Sequence, residues 1–410
     1  MLGIVPASTG APVMTASRFD VLLTITRDMP DPRERRGLRH PIWEVLFVAL
    51  VGVLAGADGA DAIEIFGIEN EEWFRRRCAL QHGIPSQDTF LRVLAAMDPR
   101  AFESLFRRWV DELWGERGGD HIAIDGKTLR GSFDRASGSN AIHSVSAYLT
   151  EHGLCLGQVR VEHKENEIVA IPELLDLIDI KGMTITIDAM GCQRAIAAKI
   201  IDRRGKYVLQ VKDNHPTLNA QIGTYFADAR RESRPLNDPA PKLTTHHETN
   251  AGHGRIEERT MTVSHDLSWI DDAAAWKGLA GIAHIERSRS DERTGKTSVE
   301  SAHFIFSDEH ATAADLHRYV RDHWAIENSL HWVLDMTFHE DQSRVRMGHA
   351  AKNFATLRRM ALNLLRTAPN PPRHKKKLSI RQKRTVCGLN GNYRASVLRL
   401  ADSPPESPAG

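Results

Sequence analysis

Cysteine is scarce in this chain, and its spacing excludes the sites that cysteines usually build. The 410 residues contain four cysteines, Cys78, Cys155, Cys192 and Cys387, and no two of them form a Cys-x-x-Cys pair. A structural zinc site needs closely spaced ligands, and a disulfide framework is typical of short secreted chains. The spacing therefore predicts reduced thiols in a cytoplasmic protein.

Long apolar runs are also lacking. The longest extends from Val45 to Ala57, between the charged residues Glu44 and Asp58, and is shorter than the ~20 apolar residues that a transmembrane helix needs. We therefore predict a buried core helix. The segment Met1–Asp20 has no charged stretch followed by an apolar one, so we expect neither a secretory signal peptide nor a membrane partner.

Neither sign of charge dominates the composition. The chain has 54 Lys and Arg against 53 Asp and Glu, and a net charge of +1 says nothing about nucleic acid. The distribution says more, because residues 355–401 contain twelve basic residues and no acidic one, and Arg33, Arg35, Arg36 and Arg39 form a second cluster. Such blocks attract phosphate through counterion release. A solvated tail without a ligand is the alternative.

The hydrophobic pattern divides the chain into segments of different character. Helical spacing dominates the N-terminal part, where His40–Ala55, Gln87–Ala96 and Ala101–Trp114 are predicted helices. Strand-like segments follow, and helices return later in the chain. The predicted organisation is a flexible leader (1–17), a helical N-terminal domain (18–116), the first part of an α/β core (120–212), a β-rich insertion (213–300), the second part of the core (301–368) and a basic C-terminal tail (369–410).

The middle of the chain predicts the α/β core. His121–Asp125, Asn140–Leu149 and Leu154–Val161 have strand patterns. The apolar strands Met183–Asp188 and Lys206–Val211 follow, each after a predicted helix. This is the strand order of the ribonuclease-H-like fold, although other α/β folds share parts of it. We therefore predict an α/β protein with a mixed sheet flanked by helices, an all-α N-terminal domain and a β-rich insertion.

Two acids end two of these strands. Asp125 and Asp188 each close a predicted strand, and each is followed closely by glycine. In open α/β sheets ligands gather at the carboxyl ends of strands, so neighbouring strands would bring the two carboxylates together. Converging carboxylates repel unless they share a proton or a cation, and hard oxygen donors suit Mg²⁺ or Mn²⁺. For either residue alone, a cap or turn at a strand end is the alternative.

A third acid lies in a predicted amphipathic helix, Ala313–Leu334. Trp324, Leu330 and Leu334 are expected to form an apolar face that packs this helix on the sheet. Glu327 neighbours that face and is expected to point at the ends of the strands. It would complete a cage of three carboxylates for two cations that activate a water or a 3′-hydroxyl.

The same helix permits a zinc site. His323, Glu327 and His331 are spaced so that they share one helical face, and two histidines with a glutamate are ordinary zinc ligands. A zinc site there would leave Asp125 and Asp188 without a role. Histidines that merely flank a packed helix are a further alternative.

Several long motifs resemble those of one family. They are IAIDGKTLRGS (Ile122–Ser132), KENEI-A-P-LL (Lys164–Leu175), TIDAMGCQ-AIA-KI (Thr186–Ile200), YVLQVKDNHP-L (Tyr207–Leu218), HGRIE-R (His253–Arg259), HWAIENSLHWVLDMTF-ED (His323–Asp341) and, N-terminally, RGLRHPIWEVLFVALVGVLAGADG (Arg36–Gly59) and GIPSQDTFLRVLAAMDP-AFE (Gly83–Glu103). Over residues 20–368 the chain resembles the DDE-type insertion-sequence transposase family that includes the H-repeat-associated proteins.

The resemblance implies a ribonuclease-H-like core in which Asp125, Asp188 and Glu327 are the catalytic, metal-binding acids. It implies two Mg²⁺ or Mn²⁺ ions, cleavage at the ends of a mobile element, and transfer of the 3′-hydroxyl into target DNA. The partners would be double-stranded DNA, as terminal inverted repeats and target, and further copies of the chain in a homodimer or larger assembly. A plain metal-dependent nuclease and a catalytically silent DNA-binding protein are the alternatives.

One departure from the broader superfamily concerns phosphate contacts. There the glutamate lies in a Tyr-x2-Arg-x3-Glu-x6-Lys helix, and here Val320, His323 and Leu334 occupy the other three places. The candidate DNA-binding residues are the basic or imidazole side chains near the acids or in basic segments: Lys127, Arg130, Lys164, Lys212, Arg321, His323, Arg344, Arg346, Lys375, Lys376 and Lys377. Ordinary surface charge is the alternative for several of them. Trp269 and Trp276 are candidates for base stacking, with burial in a core the favoured alternative.

Overall fold

The structure is a computed structural model, and it describes residues 21, 31–33, 38–114, 120–129, 142–161, 167–229, 242–252 and 254–400. The predictions that concern the leader and those for Arg130 and Lys164 lie outside these ranges. Within them, one sheet extends through the molecule and helices pack on it.

The sheet is mixed and has nine strands. They are β1 (His121–Leu129), β2 (Ile142–Leu149), β3 (Leu154–Val161), β4 (Thr184–Ile187), β5 (Lys206–Val211), β6 (Leu243–Gly252), β7 (Arg255–Ser264), β8 (Gly281–Asp291) and β9 (Thr297–Phe306). Their order is β3-β2-β1-β4-β5-β9-β8-β7-β6. β1 pairs antiparallel with β2 and parallel with β4, which pairs parallel with β5. The first five strands therefore have the ribonuclease-H-like arrangement, which confirms the predicted fold class.

Helices cover the sheet and build the N-terminal part. They are α1 (Ile42–Ala55), α2 (Ala60–Glu69), α3 (Glu71–Arg75), α4 (Gln87–Ala96), α5 (Pro99–Trp114), α6 (Glu167–Leu177), α7 (Arg194–Asp202), α8 (Pro216–Ala229), α9 (Ala313–His323), α10 (Trp332–Phe338), α11 (Ala350–Thr367), α12 (Ile380–Leu389) and α13 (Gly391–Val397). A π-helical segment, Ile326–His331, joins α9 to α10.

The apolar run near the N-terminus forms the central helix α1, as its composition predicted. Nearly all of its residues are buried, because the helix is apolar on every side and α2, α4, α11 and α12 pack around it. Its buried carboxylate, Glu44, accepts a hydrogen bond from the backbone N–H of Leu80 at 3.1 Å. Among the described helices none alone is long and apolar enough to span a membrane; α1 and α2 together meet that test, with a 93° bend between them.

The insertion extends the core sheet. It begins with α8, and β6 to β9 then form an antiparallel meander whose last strand pairs with β5 of the core. Because β9 extends to Phe306, the boundary predicted at residue 300 falls inside a strand. α9 packs on β6 and β7 as well as on β1 and β4, so one helix connects the insertion to the core.

The basic C-terminal segment contains folded structure. A capping box between Ser379 and Gln382 begins α12, which packs on α1. Arg384 is buried, and its guanidinium donates to the carbonyl oxygens of Val53 and Ala57. Part of the charge that the sequence suggested for DNA is therefore used to satisfy carbonyl groups at the end of α1.

Candidate active site

The register of the two central strands places two acids side by side. Ile124 of β1 is paired with Ile187 of β4 in parallel register, and Asp125 and Asp188 are the next residues. Asp188 follows the end of β4 as predicted, but the prediction that Asp125 closes its strand was wrong, because β1 continues to Leu129 along β2. Neighbouring strands lie about 4.8 Å apart, so the two side chains start from adjacent positions at the carboxyl end of β4. Both line one cavity of about 450 Å³.

Asp188 also caps a turn, which is the structural role that the sequence offered as an alternative for this residue. Its Oδ1 accepts hydrogen bonds from the backbone N–H groups of Met190 at 3.1 Å and Gly191 at 3.3 Å, and so caps a single 3₁₀ turn. The cap fixes one oxygen of the carboxylate. Capping and a place in the cavity are thus combined in one residue.

Glu327 reaches the same cavity from the helical segment that crosses the edge. Leu330 and Leu334 are fully buried and anchor this segment, while Glu327 is exposed and lines the cavity. Trp324 was expected on the buried face, but its side chain is 46% exposed. Leu330 lies six residues after Trp324, so the two side chains do not share one helical face. The π-helical segment Ile326–His331, with its wider turn, adds to this offset.

The π segment also separates the three residues of the zinc alternative. The Nδ1 of His323 is hydrogen-bonded to the Thr186 hydroxyl at 2.8 Å, whereas His331 is buried with its Nδ1 3.4 Å from Oδ2 of Asp125. Burial lowers the pKa of His323 to about 4 and that of His331 to about 3, so both rings are neutral. Within the described residues, His323, Glu327 and His331 do not form a cluster with ligand atoms mutually within 4.8 Å.

The electrostatics of the cavity favour a cation. Burial and the negative charges of Asp188, Glu327 and Glu167 together raise the pKa of Asp125 to about 7, against a backbone hydrogen bond from Gly126 that lowers it. Burial also raises the pKa of Asp188, and Lys212 opposes that rise. Several carboxylates thus act on Asp125 at close range, and oxygen donors of this kind fit Mg²⁺ or Mn²⁺.

The three acids line one cavity without forming a single tight cluster. The carboxylates of Asp125, Asp188 and Glu327 do not all lie within 4.8 Å of one another. Ions in two-metal sites lie roughly 3.5–4 Å apart, so acids that bind different ions need not touch. The charges of Asp188 and Glu327 both act on Asp125, so any divalent ion held here would be held by this carboxylate with one or both of the others.

A fourth acid, which the sequence reasoning missed, lies behind the strand. The carboxylate of Glu167, at the start of α6, is buried and makes an ion contact with the imidazole of His143 on β2. Nδ1 of His143 is in turn hydrogen-bonded to the hydroxyl of Thr128 at 2.8 Å. Glu167 lies within the KENEI motif, but only the fold shows that it adjoins Asp125.

Gly126 of β1 packs directly against the side chains of Glu167 and His143. A Cβ at residue 126 would lie within 3.0 Å of the side chains of Glu167 and His143. We expect Gly126→Ala to lower the free energy of unfolding by about 1–3 kcal/mol, the usual cost of overpacking, and to displace Asp125. Urea unfolding measures the first effect. Gly252→Ala is the matched control, because a Cβ there meets open space; equal effects at both positions would contradict the steric argument.

The structure places the predicted DNA-binding residues in different surroundings. Lys212 and His323 line the acid cavity. Lys127 is buried and makes ion pairs with Asp335 and Glu340, so its ammonium group is occupied within the protein. Arg321 makes an ion pair with Glu248 on β6. Lys212 and His323 are therefore the predicted DNA-binding residues that lie nearest the acids.

The remaining candidates lie away from the acids. Arg344 and Arg346 line a second cavity together with Asp58. Lys375, Lys376 and Lys377 are exposed. Of the two tryptophans, Trp276 is buried, and Trp269 stacks on Tyr225 with ring centroids 4.5 Å apart. Both therefore pack within the protein, the alternative that the sequence favoured.

A ribonuclease-H-like sheet with carboxylates gathered where the pairing of two central parallel strands ends defines a class of nucleic-acid-processing proteins. Residues 116–364 match the family described as Transposase DDE domain, and residues 23–110 match the family described as DDE_Tnp_1-associated. The chain belongs to the DDE transposase family. This confirms the resemblance that the motifs suggested.

Two relatives and one solved structure illustrate the similarity. The chain is 39% identical to "Putative transposase YncI" of Escherichia coli O157:H7, over 92% of this chain and 94% of that one. It is 35% identical to "H repeat-associated putative transposase YhhI" of Escherichia coli (strain K12), over 90% and 95%. A cryo-EM structure of the piggyBac transposase synaptic complex with hairpin DNA aligns with 95% of this chain and 78% of that one, at a TM-score of 0.40 and 11% identity. The strand order, independently of that low score, defines the fold.

Proposed function

We propose that this protein is a DNA transposase that cleaves phosphodiester bonds at the ends of its element and joins the 3′-hydroxyl to target DNA. The observation that carries the proposal is the meeting of Asp125, Asp188 and Glu327 in one cavity. These acids come from separate parts of the chain, and the strand register and the π segment bring them to the same edge. The family relationship makes DNA the expected substrate.

The three acids are the residues that would hold the divalent ions. When bound, such ions activate an attacking oxygen and stabilise the leaving oxygen of an in-line displacement. The protein's own contribution is to fix the ligands: the 3₁₀ turn holds one oxygen of Asp188, and the buried ring of His331 lies against Asp125. Positioned ligands of this kind supply much of the catalysis in phosphoryl transfer.

The rest of the cavity suits a DNA strand end. Lys212 contributes a positive charge beside the acids. The lining also has an apolar wall, which includes Ile285 and Phe304 of the insertion. At the rim, the guanidinium of Arg287 lies 5.8 Å from the ring of the exposed Trp324. Phosphate is expected near the lysine, and sugar or base near the apolar wall.

The exposed lysines after α11 are proposed to contact the DNA backbone. Replacing Lys375, Lys376 and Lys377 with glutamine should weaken binding to DNA of any sequence and lower the salt slope of log K by up to about 3, since each phosphate contact contributes roughly 0.9. Fluorescence anisotropy at several salt concentrations measures the slope. Lys181→Gln, another exposed lysine, is the control. An unchanged slope in the triple variant would remove these lysines from the interface.

A strand-transfer assay tests the proposed function. Purified full-length protein, Mg²⁺, a duplex carrying the inverted repeat that flanks the gene, and a target plasmid should yield cleaved ends and then joined products. A plain nuclease would cleave without joining, and a silent DNA-binding protein would bind without cleaving. We further propose that the active species is a homodimer or larger, because joining two element ends in one complex requires two active sites.

A further inference from the structure

Three potential metal ligands converge outside the acid cavity. His246 and Glu248 are two residues apart on β6, so they point to the same side of the strand, and His317 faces them from α9. One ligand atom from each lies within 4.8 Å of the other two. Nδ1 of His317 is 3.4 Å from Oε2 of Glu248, and the rings of His246 and His317 have centroids 5.0 Å apart.

The hydrogen bonds of Glu248 leave one of its oxygens turned toward the histidine. Oε1 of Glu248 accepts from the amide of Asn250 at 2.8 Å and from Arg321, so both donors approach the oxygen that faces away from the histidine. Oε2 is turned toward His317. The His317 side chain is only 3% exposed, and its Nδ1 is the ring nitrogen that faces this oxygen. The cluster therefore presents a buried imidazole nitrogen and a carboxylate oxygen to each other at a separation of 3.4 Å.

We propose that His246, Glu248 and His317 bind one Zn²⁺ ion. Two imidazoles and a carboxylate form a common zinc ligand set, with water in the fourth position. Ligands 2.0–2.2 Å from a tetrahedral ion lie about 3.4 Å apart, which is the separation between Nδ1 of His317 and Oε2 of Glu248. That separation is long for a hydrogen bond between a histidine and a carboxylate.

The protonation states suit this metal. Burial lowers the pKa of His317, and hydrogen bonds from Asn250 and Arg321 lower the pKa of Glu248. At neutral pH the ring is therefore neutral and the carboxylate is ionised, as zinc ligands must be. Arg321 would keep the carboxylate oriented, since carboxylates that bind metals are themselves usually hydrogen-bonded.

The site would join the insertion to the helix that leads to Glu327. His246 and Glu248 belong to β6 at the edge of the sheet, and α9, which carries His317, continues through the π segment. A bound ion would fix the angle between the insertion and this helix. The zinc proposal stands without the proposed transposase activity, because its residues are separate from the acid cavity.

Zinc titration of the full-length protein after EDTA treatment tests the proposal. Asp125→Asn serves as the background, so that binding in the acid cavity is reduced. We expect isothermal titration calorimetry to show one tightly bound Zn²⁺ per chain and the melting temperature to rise. Adding His317→Ala should weaken zinc binding by more than the ~10–100-fold that loss of an outer partner costs, and should abolish the rise in melting temperature.

Two further variants keep the test decisive. Glu248→Gln and His246→Ala alter less buried positions, so they separate loss of the ligand from loss of folding if His317→Ala is unstable. His247→Ala is the matched control, because this neighbouring histidine points to the other side of β6 and is hydrogen-bonded to Thr260. Unchanged zinc affinity in Glu248→Gln and His246→Ala, or equal loss in His247→Ala, would overturn the proposal.

Discussion

Replacing Asp125 with asparagine is expected to lower the rate of metal-dependent DNA cleavage by ~10³-fold or more, the scale of loss when a charge-stabilising group is removed from a phosphoryl-transfer site. The amide preserves the shape of the side chain but removes the charge at the centre of the acid cavity. Asp125 is the acid whose pKa is raised by both of the other two, so it is the best candidate for a shared ligand. Binding to DNA ends should persist.

The control for this experiment is an acid in the same cavity that lies outside the group of three. Glu300 lines the cavity from β9, but its side chain is 75% exposed and faces Arg287. Glu300→Gln should change the cleavage rate by less than ~10-fold, because an exposed carboxylate in water contributes little to a metal site. Cleavage at the wild-type rate by Asp125→Asn would remove this residue from the reaction.

Replacing Glu340 with glutamine should produce the largest loss of stability. Its carboxylate is fully buried between Arg359, at 2.9 Å, and Lys127, at 3.2 Å. The variant would leave the buried Arg359 without its counter-charge and Lys127 with Asp335 as its nearest carboxylate, and breaking a buried pair in this way typically costs about 3–5 kcal/mol. Chemical unfolding measures the change. Glu72→Gln, which breaks an exposed pair with Arg76, should cost less than about 1 kcal/mol.

The pH dependence of the unfolding free energy is a second measurement that tests the role of Glu340. Burial raises the pKa of Glu340, but the charges of Arg359 and Lys127 outweigh it and lower the pKa to about 2. The folded protein thus holds this proton less tightly than the unfolded chain, so the stabilisation is complete above pH 4.5 and is lost as pH falls toward 2. The difference in unfolding free energy between wild type and Glu340→Gln should shrink over that range. A difference that stays constant with pH would contradict the account.

The sequence predicted the central part of the site for a physical reason. β-branched and apolar residues mark β1 and β4 as buried strands, and neighbouring parallel strands place successive residues side by side. Asp125 and Asp188 were therefore expected together from local pattern. The same pattern did not predict that β1 continues past Asp125 to Leu129, because that extension depends on pairing with β2. Glu327 depended on the resemblance as well, because the π segment changes the helical register from which its direction was inferred.

Other features could not be predicted, because their partners lie far away in the chain. In the sequence, Lys127 looks like an exposed lysine of a hairpin. Its partners Asp335 and Glu340 lie more than two hundred residues later in the chain, so only the fold shows that it is paired. Glu167 and His143 likewise meet only across the folded sheet. The same is true of the basic C-terminal segment. Its sequence does not distinguish Arg384, which is buried, from Lys375, which is exposed.

The most direct test of the central claim is a crystal structure of the protein with Mn²⁺, in which anomalous scattering locates the ions. The account predicts two peaks in the acid cavity, roughly 3.5–4 Å apart, with Asp125 bound to both and Asp188 and Glu327 each bound to one. Peaks that leave Glu327 beyond coordinating distance, or manganese that binds only outside this cavity, would contradict it.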